Sequence, residues 1–147
     1  MVETVRSILE TKGSLAWSVA PEATVYEAIE LMAGRSVGAL VVVSQGNLVG
    51  IVSERDYARK VILKGHSSRD TRVEQIMSSP VITVTPDHTV DECLRIATER
   101  RIRHLPVLDG GKLAGIVSIG DLVKAVVSAQ AATIHQLNKY ITGTYPA

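Results

Sequence analysis

The stretch Gly50-Ile51-Val52-Ser53-Glu54-Arg55-Asp56 returns 65 residues later as Gly115-Ile116-Val117-Ser118-Ile119-Gly120-Asp121. The match is not local. Residues 19–59 align with residues 84–124 without a gap, and 15 of the 41 aligned positions are identical. Two copies are fewer than the three or more that a solenoid needs. Each copy is also too small to bury a full core alone. The repeat therefore predicts two similar modules sharing one interface, related by a pseudo-two-fold axis. Its division of the chain is an N-terminal helix and linker over 1–14, a first repeat over 15–64, a linker over 65–76, a second repeat over 77–128, and a C-terminal helix and tail over 129–147.

Composition narrows what such a pair can do. The net charge of +1 gives no bulk electrostatic drive toward nucleic acid or an anionic membrane. No apolar run approaches the ~18 residues that span a bilayer, and the acidic, amphipathic N-terminus does not read as a secretory signal. The single cysteine, Cys93, excludes an intramolecular disulfide and fits a reducing, cytoplasmic setting. There is no Phe, so the core must be built from Val, Ile, Leu and Ala.

Local signals agree between the copies. Thr24-x-x-Glu27 and Thr89-x-x-Glu92 are capping boxes that open a helix in each repeat. The first helix sets Val25, Ala28, Ile29 and Met32 on one face, and the second sets Val90, Cys93, Leu94 and Ala97 there. Two apolar runs follow in each copy, broken at Ser44–Asn47 and at Asp109–Lys112, and read as hairpins with four-residue loops. A further helix begins near Ser53 and near Ser118. Short extended segments, 15–19 and 81–84, precede the copies. Each repeat is thus β-α-β-β-α, an α/β (α+β) fold with flanking N- and C-terminal helices.

The segments VAPEATVYEAIELMAGRSVGALVVVSQGNLVGIVSERDYARKV and ITVTPDHTVDECLRIATERRIRHLPVLDGGKLAGIVSIGDLVKAV resemble the CBS domain, and the tandem resembles a CBS pair, or Bateman module. The stretch SERDYARKVILKGHSSRDTRVEQIM is similar to the stand-alone CBS-pair proteins of bacteria and plant organelles. The resemblance implies that the Ser-x-x-Asp carboxylate accepts hydrogen bonds from both ribose hydroxyls of an adenine nucleotide, a task suited to its two acceptor oxygens. Ser-x-x-Asp is equally an N-cap with an acidic third residue, useful to any helix, and both roles can coexist.

Carried over by position, the resemblance implies two nucleotide pockets. One joins Ser53 and Asp56, with Arg55 assisting, to Val81, Ile82, Arg103, His104 and Pro106, with Arg103 and His104 facing phosphate. The other joins Ser118 and Asp121 to Ala16, Trp17, Gly38 and Ala39, with Lys12 as a phosphate contact. Gly38-Ala39 stands where the second repeat has Arg103-His104, so the pockets should differ. Trp17 offers an aromatic wall for a base, against the plainer reading of a core residue.

Other residues carry less. His66, His88 and His135 lack partners at metal-ligand spacing and read as surface. Cys93 reads as a small core residue. Lys60, Lys64, Arg69 and Arg72 make the linker mildly basic, and SSRDT could add hydroxyls to a phosphate. No activated nucleophile, carboxylate pair, metal cluster or P-loop is found, so no catalytic residue, metal or catalytic cofactor is expected. The leading reading is a non-catalytic sensor of AMP, ADP, ATP or NAD that acts on a regulated protein. The competing reading is a dimerisation or partner-binding scaffold with vestigial pockets. Single-stranded nucleic acid lacks the stacked aromatics and basic groove it would need. A homodimer is expected, covered at its amphipathic ends by Val5, Ile8 and Leu9 and by Ile134, Leu137 and Ile141.

Overall fold

A computed structural model describes residues 3–141. The chain forms two compact units: residues 15–83 make the first, and residues 1–14 together with 84–147 make the second.

In the first unit, Thr24 caps α2 (Val25–Arg35) through the expected box, its hydroxyl accepting from the Glu27 N–H while the Glu27 carboxylate takes the Thr24 N–H. Strands β2 (Ala39–Ser44) and β3 (Asn47–Ser53) form an antiparallel hairpin, and β1 (Ser18–Val19) joins β2 in parallel. Helix α3 (Glu54–Tyr57) runs into a π-helical turn over Ala58–Ile62, and a one-turn helix α4 (Val73–Ile76) follows. The core is aliphatic: Val25, Ala28, Met32, Leu40, Val42, Val52, Val61, Val73 and Ile76 are buried together. Segment 65–76, read from the sequence as a linker, thus supplies two core residues to this unit.

The second unit repeats the plan with α5 (Val90–Arg100), β4 (His104–Asp109), β5 (Lys112–Ser118) and α6 (Ile119–Ile141). Its buried residues include Val84, Val90, Cys93, Ala97, Leu105, Val107, Val117 and Leu122. Burial holds the Cys93 thiol up at about 11, which fits a packing role and no nucleophile. Helix α1 (Val5–Lys12) belongs here as well, with Val5 and Ile8 buried.

The structure corrects three expectations. Both hairpins turn on two residues, not four. Gln45-Gly46 and Gly110-Gly111 all have positive φ, as a type I′ turn requires, and Ser44 pairs with Asn47 as Asp109 pairs with Lys112. The extended segment at 81–84 shrinks to one parallel bridge, Val84 to Val107. In the first unit the Val41 N–H donates to the Trp17 carbonyl at 3.1 Å; the corresponding position of the second repeat is Pro106, which has no N–H. Finally, the face of α1 expected to cover a dimer is already covered within its own unit.

That last correction exposes a longer repeat. The Val5 N–H donates to the His88 carbonyl just as the Val73 N–H donates to Ala23, and Arg6 to Pro86 matches Glu74 to Pro21. So α1 and α4 are counterparts. The sequence hides this because six residues separate Leu9 from Ala16 but only three separate Met77 from Val81. The extra residues are Glu10, Thr11 and Lys12, which lengthen α1 by most of a turn.

These counterparts explain the glycine of the repeated motif. A Cβ on Gly50 would lie 2.5 Å from Met77 Sδ, and one on Gly115 would lie 2.9 Å from Leu9 Cδ2. The hairpin of each unit is crossed at that point by the end of α4 or α1. Each hairpin also slips register beside its glycine, between Val42 and Val43 and between Val107 and Leu108. Only a residue without a side chain fits under the crossing segment.

Candidate functional site: two capped carboxylates

Each Ser-x-x-Asp lies where the hairpin's last strand becomes a helix. In the first unit the Ser53 hydroxyl accepts from the Asp56 N–H at 3.2 Å, and the Ser53 N–H donates to Asp56 Oδ2 at 2.9 Å. In the second unit the Asp121 N–H donates to Ser118 Oγ at 3.1 Å, and the Ser118 N–H donates to Asp121 Oδ2 at 2.8 Å. The capping reading of the motif is therefore correct in both copies. The two intervening residues, Glu54-Arg55 and Ile119-Gly120, take no side-chain part in the box and are free to differ.

The loop before each hairpin is tied to the same junction. The Glu54 N–H donates to the Gly38 carbonyl at 3.1 Å, and the Ile119 N–H donates to the Arg103 carbonyl at 2.9 Å. Ala39 lies directly across the ladder from Ser53, and His104 directly across from Ser118. Within one unit, the structure thus gathers Gly38, Ala39, Ser53 and Asp56; within the other, Arg103, His104, Ser118 and Asp121. Arg55 is exposed beside Asp56, and Pro106 is buried on β4. Ala16, Trp17, Val81 and Ile82 are half-buried residues of the first unit.

Both carboxylates meet a lysine. Lys60 Nζ lies 3.1 Å from Asp56 Oδ1 and donates to the Ile76 carbonyl at 2.8 Å. Lys12 Nζ donates to Asp121 Oδ2 at 2.7 Å and to the Ile116 carbonyl at 2.9 Å. The sequence offered a signal for the first pair, since an acid and a base four residues apart share a helix face. It offered none for the second, and Lys12 was expected on phosphate, not on a carboxylate. Partial burial works to raise the Asp121 carboxyl, but the Lys12 ammonium and the Ser118 groups outweigh it and hold it below the ordinary range. His104 is also held low, chiefly by burial and then by the Lys12 charge, with Asp121 opposing.

Trp17 carries a partner the sequence did not indicate. The Arg35 guanidinium stacks 4.1 Å from the centre of the indole, and the half-buried indole also packs against the first unit's core. His88, read as a surface residue, accepts the Thr85 N–H on Nδ1 at 2.9 Å and shapes the turn before α5. Among the described residues no helix is long and apolar enough to cross a membrane.

Two hairpin-and-helix repeats, each ending in a capped Ser-x-x-Asp, are the architecture that the sequence resemblance implied. The CBS domain family matches residues 16–63 and 73–128, and the chain belongs to that family. It is 42% identical over 152 residues to the mitochondrial CBS domain-containing protein CBSX3 of Arabidopsis thaliana, covering 97% of this chain and 73% of that one. A protein with CBS domains from Burkholderia ambifaria is 53% identical with a TM-score of 0.84, covering 86% of this chain and 96% of the other. The hexameric CBS-CP12 protein of bloom-forming cyanobacteria is 32% identical with a TM-score of 0.76, covering 84% and 71%. The CBS domain pair of MJ0100, solved with 5′-methylthioadenosine and S-adenosyl-L-methionine, shares the fold at 24% identity and a TM-score of 0.77, covering 88% and 99%.

Proposed function

We propose that the chain is a non-catalytic regulatory module that binds an adenosyl nucleotide, of the AMP, ADP, ATP or NAD class, through the carboxylates of Asp56 and Asp121. The observation that carries this reading is the state of the Asp121 carboxylate. It is fixed by the cap, held ionised by Lys12, and partly exposed. Its bonds fall on Oδ2, so that among the described residues Oδ1 has no partner and can accept a ribose hydroxyl. A fixed anionic acceptor suits a cis-diol, and the helix N-terminus favours an anion beside it. The adenosyl ligands of MJ0100 support the same ligand class. The neighbouring Arg103 and His104 supply donors for a phosphate, with His104 largely neutral at pH 7 because its titration is pushed down.

A calorimetric titration of the chain with AMP, ATP, NAD and S-adenosylmethionine tests this. Binding of one of them at sub-millimolar concentration is expected. The Asp121→Asn variant should bind about ten- to a hundredfold more weakly, from ~1.5–3 kcal/mol for hydrogen bonds to a charge. If none of the four binds, the module is a scaffold with vestigial pockets. A homodimer remains part of the proposal. Its support is the exposed apolar stripe on α6, where Ile134 and Leu137 are 58% and 55% accessible. The Ile141 side chain, expected on the same stripe, lies outside the described residues.

A further inference from the structure

A groove of about 560 Å³ opens in the first unit, lined by Lys60, Lys64, His66, Ser67, Asp70 and Thr71 among others. It belongs to neither hairpin. Its walls are the end of the π-helical turn, the loop that leads to α4, and Gln75 and Ile76 of α4, and that loop is built to hold its shape. The Gly65 N–H closes on the Ile62 carbonyl at 3.1 Å and the His66 N–H on Val61 at 2.9 Å, with Gly65 at φ 72°. The Ser67 carbonyl then accepts the Asp70 N–H at 3.2 Å and the Thr71 hydroxyl at 2.7 Å, and Thr71 is buried at 8% exposure. Ser67 Oγ accepts the Arg69 N–H at 3.3 Å, which leaves its own O–H to donate.

The groove's charge is predominantly positive. Lys60, Lys64, the Ser67 hydroxyl and His66 can all donate hydrogen bonds, and Asp70 is the one carboxylate among the lining residues. Lys60 is already placed. Its ammonium donates to the Ile76 carbonyl and pairs with the Asp56 carboxylate, which leaves N–H capacity for a further acceptor. Lys64 lies one helical turn further on and makes no ion pair among the described residues. Part of the lining is apolar, Ile76 among it, but no Phe, Tyr or Trp lines it, so a base finds no such ring to stack on. The volume falls within the ~300–1,000 Å³ of small-molecule sites and exceeds what one phosphate fills.

We infer that this groove is a binding site for a small polyanion carrying two or more phosphates, gripped by Lys60, Lys64 and Ser67. The two lysines supply charge-assisted bonds and the capped loop supplies a hydroxyl in a fixed position. Because Lys60 also holds Asp56, a bound polyanion competes for that ammonium, and occupancy of the groove reaches the capped carboxylate.

Inorganic pyrophosphate added to the isotopically labelled full chain, at constant ionic strength set by chloride, tests the site through backbone amide shifts. Saturable shifts at Gly65, His66, Ser67 and Thr71 are expected below about 10 mM, the weak end of specific binding. Lys64→Gln should weaken the response at least fivefold, and Asp70→Asn should tighten it at least twofold. Both substitutions are at exposed positions, so neither threatens the fold. Shifts that do not saturate, a Lys64→Gln variant that matches the parent chain, or an Asp70→Asn variant that binds more weakly would each overturn the assignment. ADP in place of pyrophosphate identifies the source. Equal concentrations for equal shifts assign the site to free polyphosphates, and a much lower requirement for ADP assigns it to nucleotide phosphates.

Discussion

Asp56 and Asp121 hold the same place in their repeats, yet the lysines that meet them come from different parts of the chain. Lys60 sits four residues after Asp56 on the same helical segment, and Ala125 stands at the corresponding position of the second repeat. There the missing charge is supplied by Lys12, from the added turn of α1. The local pair needs only its own helix to form. The distant pair forms only when α1 is docked on the second unit. The comparison teaches that a duplicated site can keep its electrostatics while changing which element guarantees them, and that Asp121 therefore reports on the docking of α1 as Asp56 does not.

The largest expected effect tests whether the crossings over the two glycines are equally tight. Gly50→Val should destabilise the chain by about 3 kcal/mol in chemical denaturation, because its Cβ meets Met77 Sδ and, at 3.2 Å, the Ser78 carbonyl oxygen of a neighbouring backbone. Gly115→Val should cost more, about 4 kcal/mol: the end of the Leu9 side chain can turn aside, but Gly115 sits at φ 155°, a backbone conformation that a β-branched residue rarely adopts. A smaller loss at Gly115 than at Gly50 would show that the crossing segment, and not the backbone, sets the cost.

The lysines come next. Lys12→Met should cost about 0.5–1 kcal/mol at pH 7, discounted because its side chain is 33% and that of Asp121 24% exposed. Lys60→Met should cost about half as much. Hydrogen exchange should also show α1 amides opening faster in Lys12→Met, with no such change in Lys60→Met. Faster exchange of α1 in both variants would erase the distinction between a local and a distant pair.

The pH dependence of the Lys12 effect has a defined sign. The Asp121 carboxyl titrates below its ordinary range in the folded chain, so its stabilising contribution is intact above the unfolded value and is lost as pH falls through the folded one. The gap between the parent and Lys12→Met should narrow progressively as pH falls below the ordinary Asp value of about 3.9. A gap that persists there would mean that Lys12 stabilises by packing alone.

His104 gives the smallest effect. Its titration is also depressed, so the neutral ring is favoured by folding and stability should slip as pH falls below about 6.5. His104→Gln should flatten the stability profile between about pH 7 and pH 5. The first repeat has Ala39 at that position, so the slope belongs to the second unit alone.

What the sequence disclosed, and what it hid, follows from how local each interaction is. The boxes at Thr24, Thr89, Ser53 and Ser118 involve residues three apart, and all four form as spaced. The hairpins were legible as apolar runs, but not their turn length, because Ser44 and Asp109 are polar and still pair in the ladder. The strand at 81–84 failed for want of one N–H on Pro106. The equivalence of α1 and α4 was masked by a length difference, and the Lys12–Asp121 bond joins residues too distant for any spacing rule. Arg35 over Trp17 was equally invisible, since a stacked cation leaves no periodic trace.

The chain's path between its units bears on the order in which they can be made. Residues 15–83 are contiguous, so during synthesis the first unit can close as soon as its own residues are released, with α4 already in hand. Helix α1 is translated before the first unit but finds its partners only after it. Its apolar face stays without cover until Val84, Val90 and the later strands emerge, and domains generally fold in the order they leave the ribosome. A segment made before the first unit is thus buried only after it. A substitution that unfolds α1 would therefore perturb the assembly of the second repeat and spare the first, its neighbour in sequence.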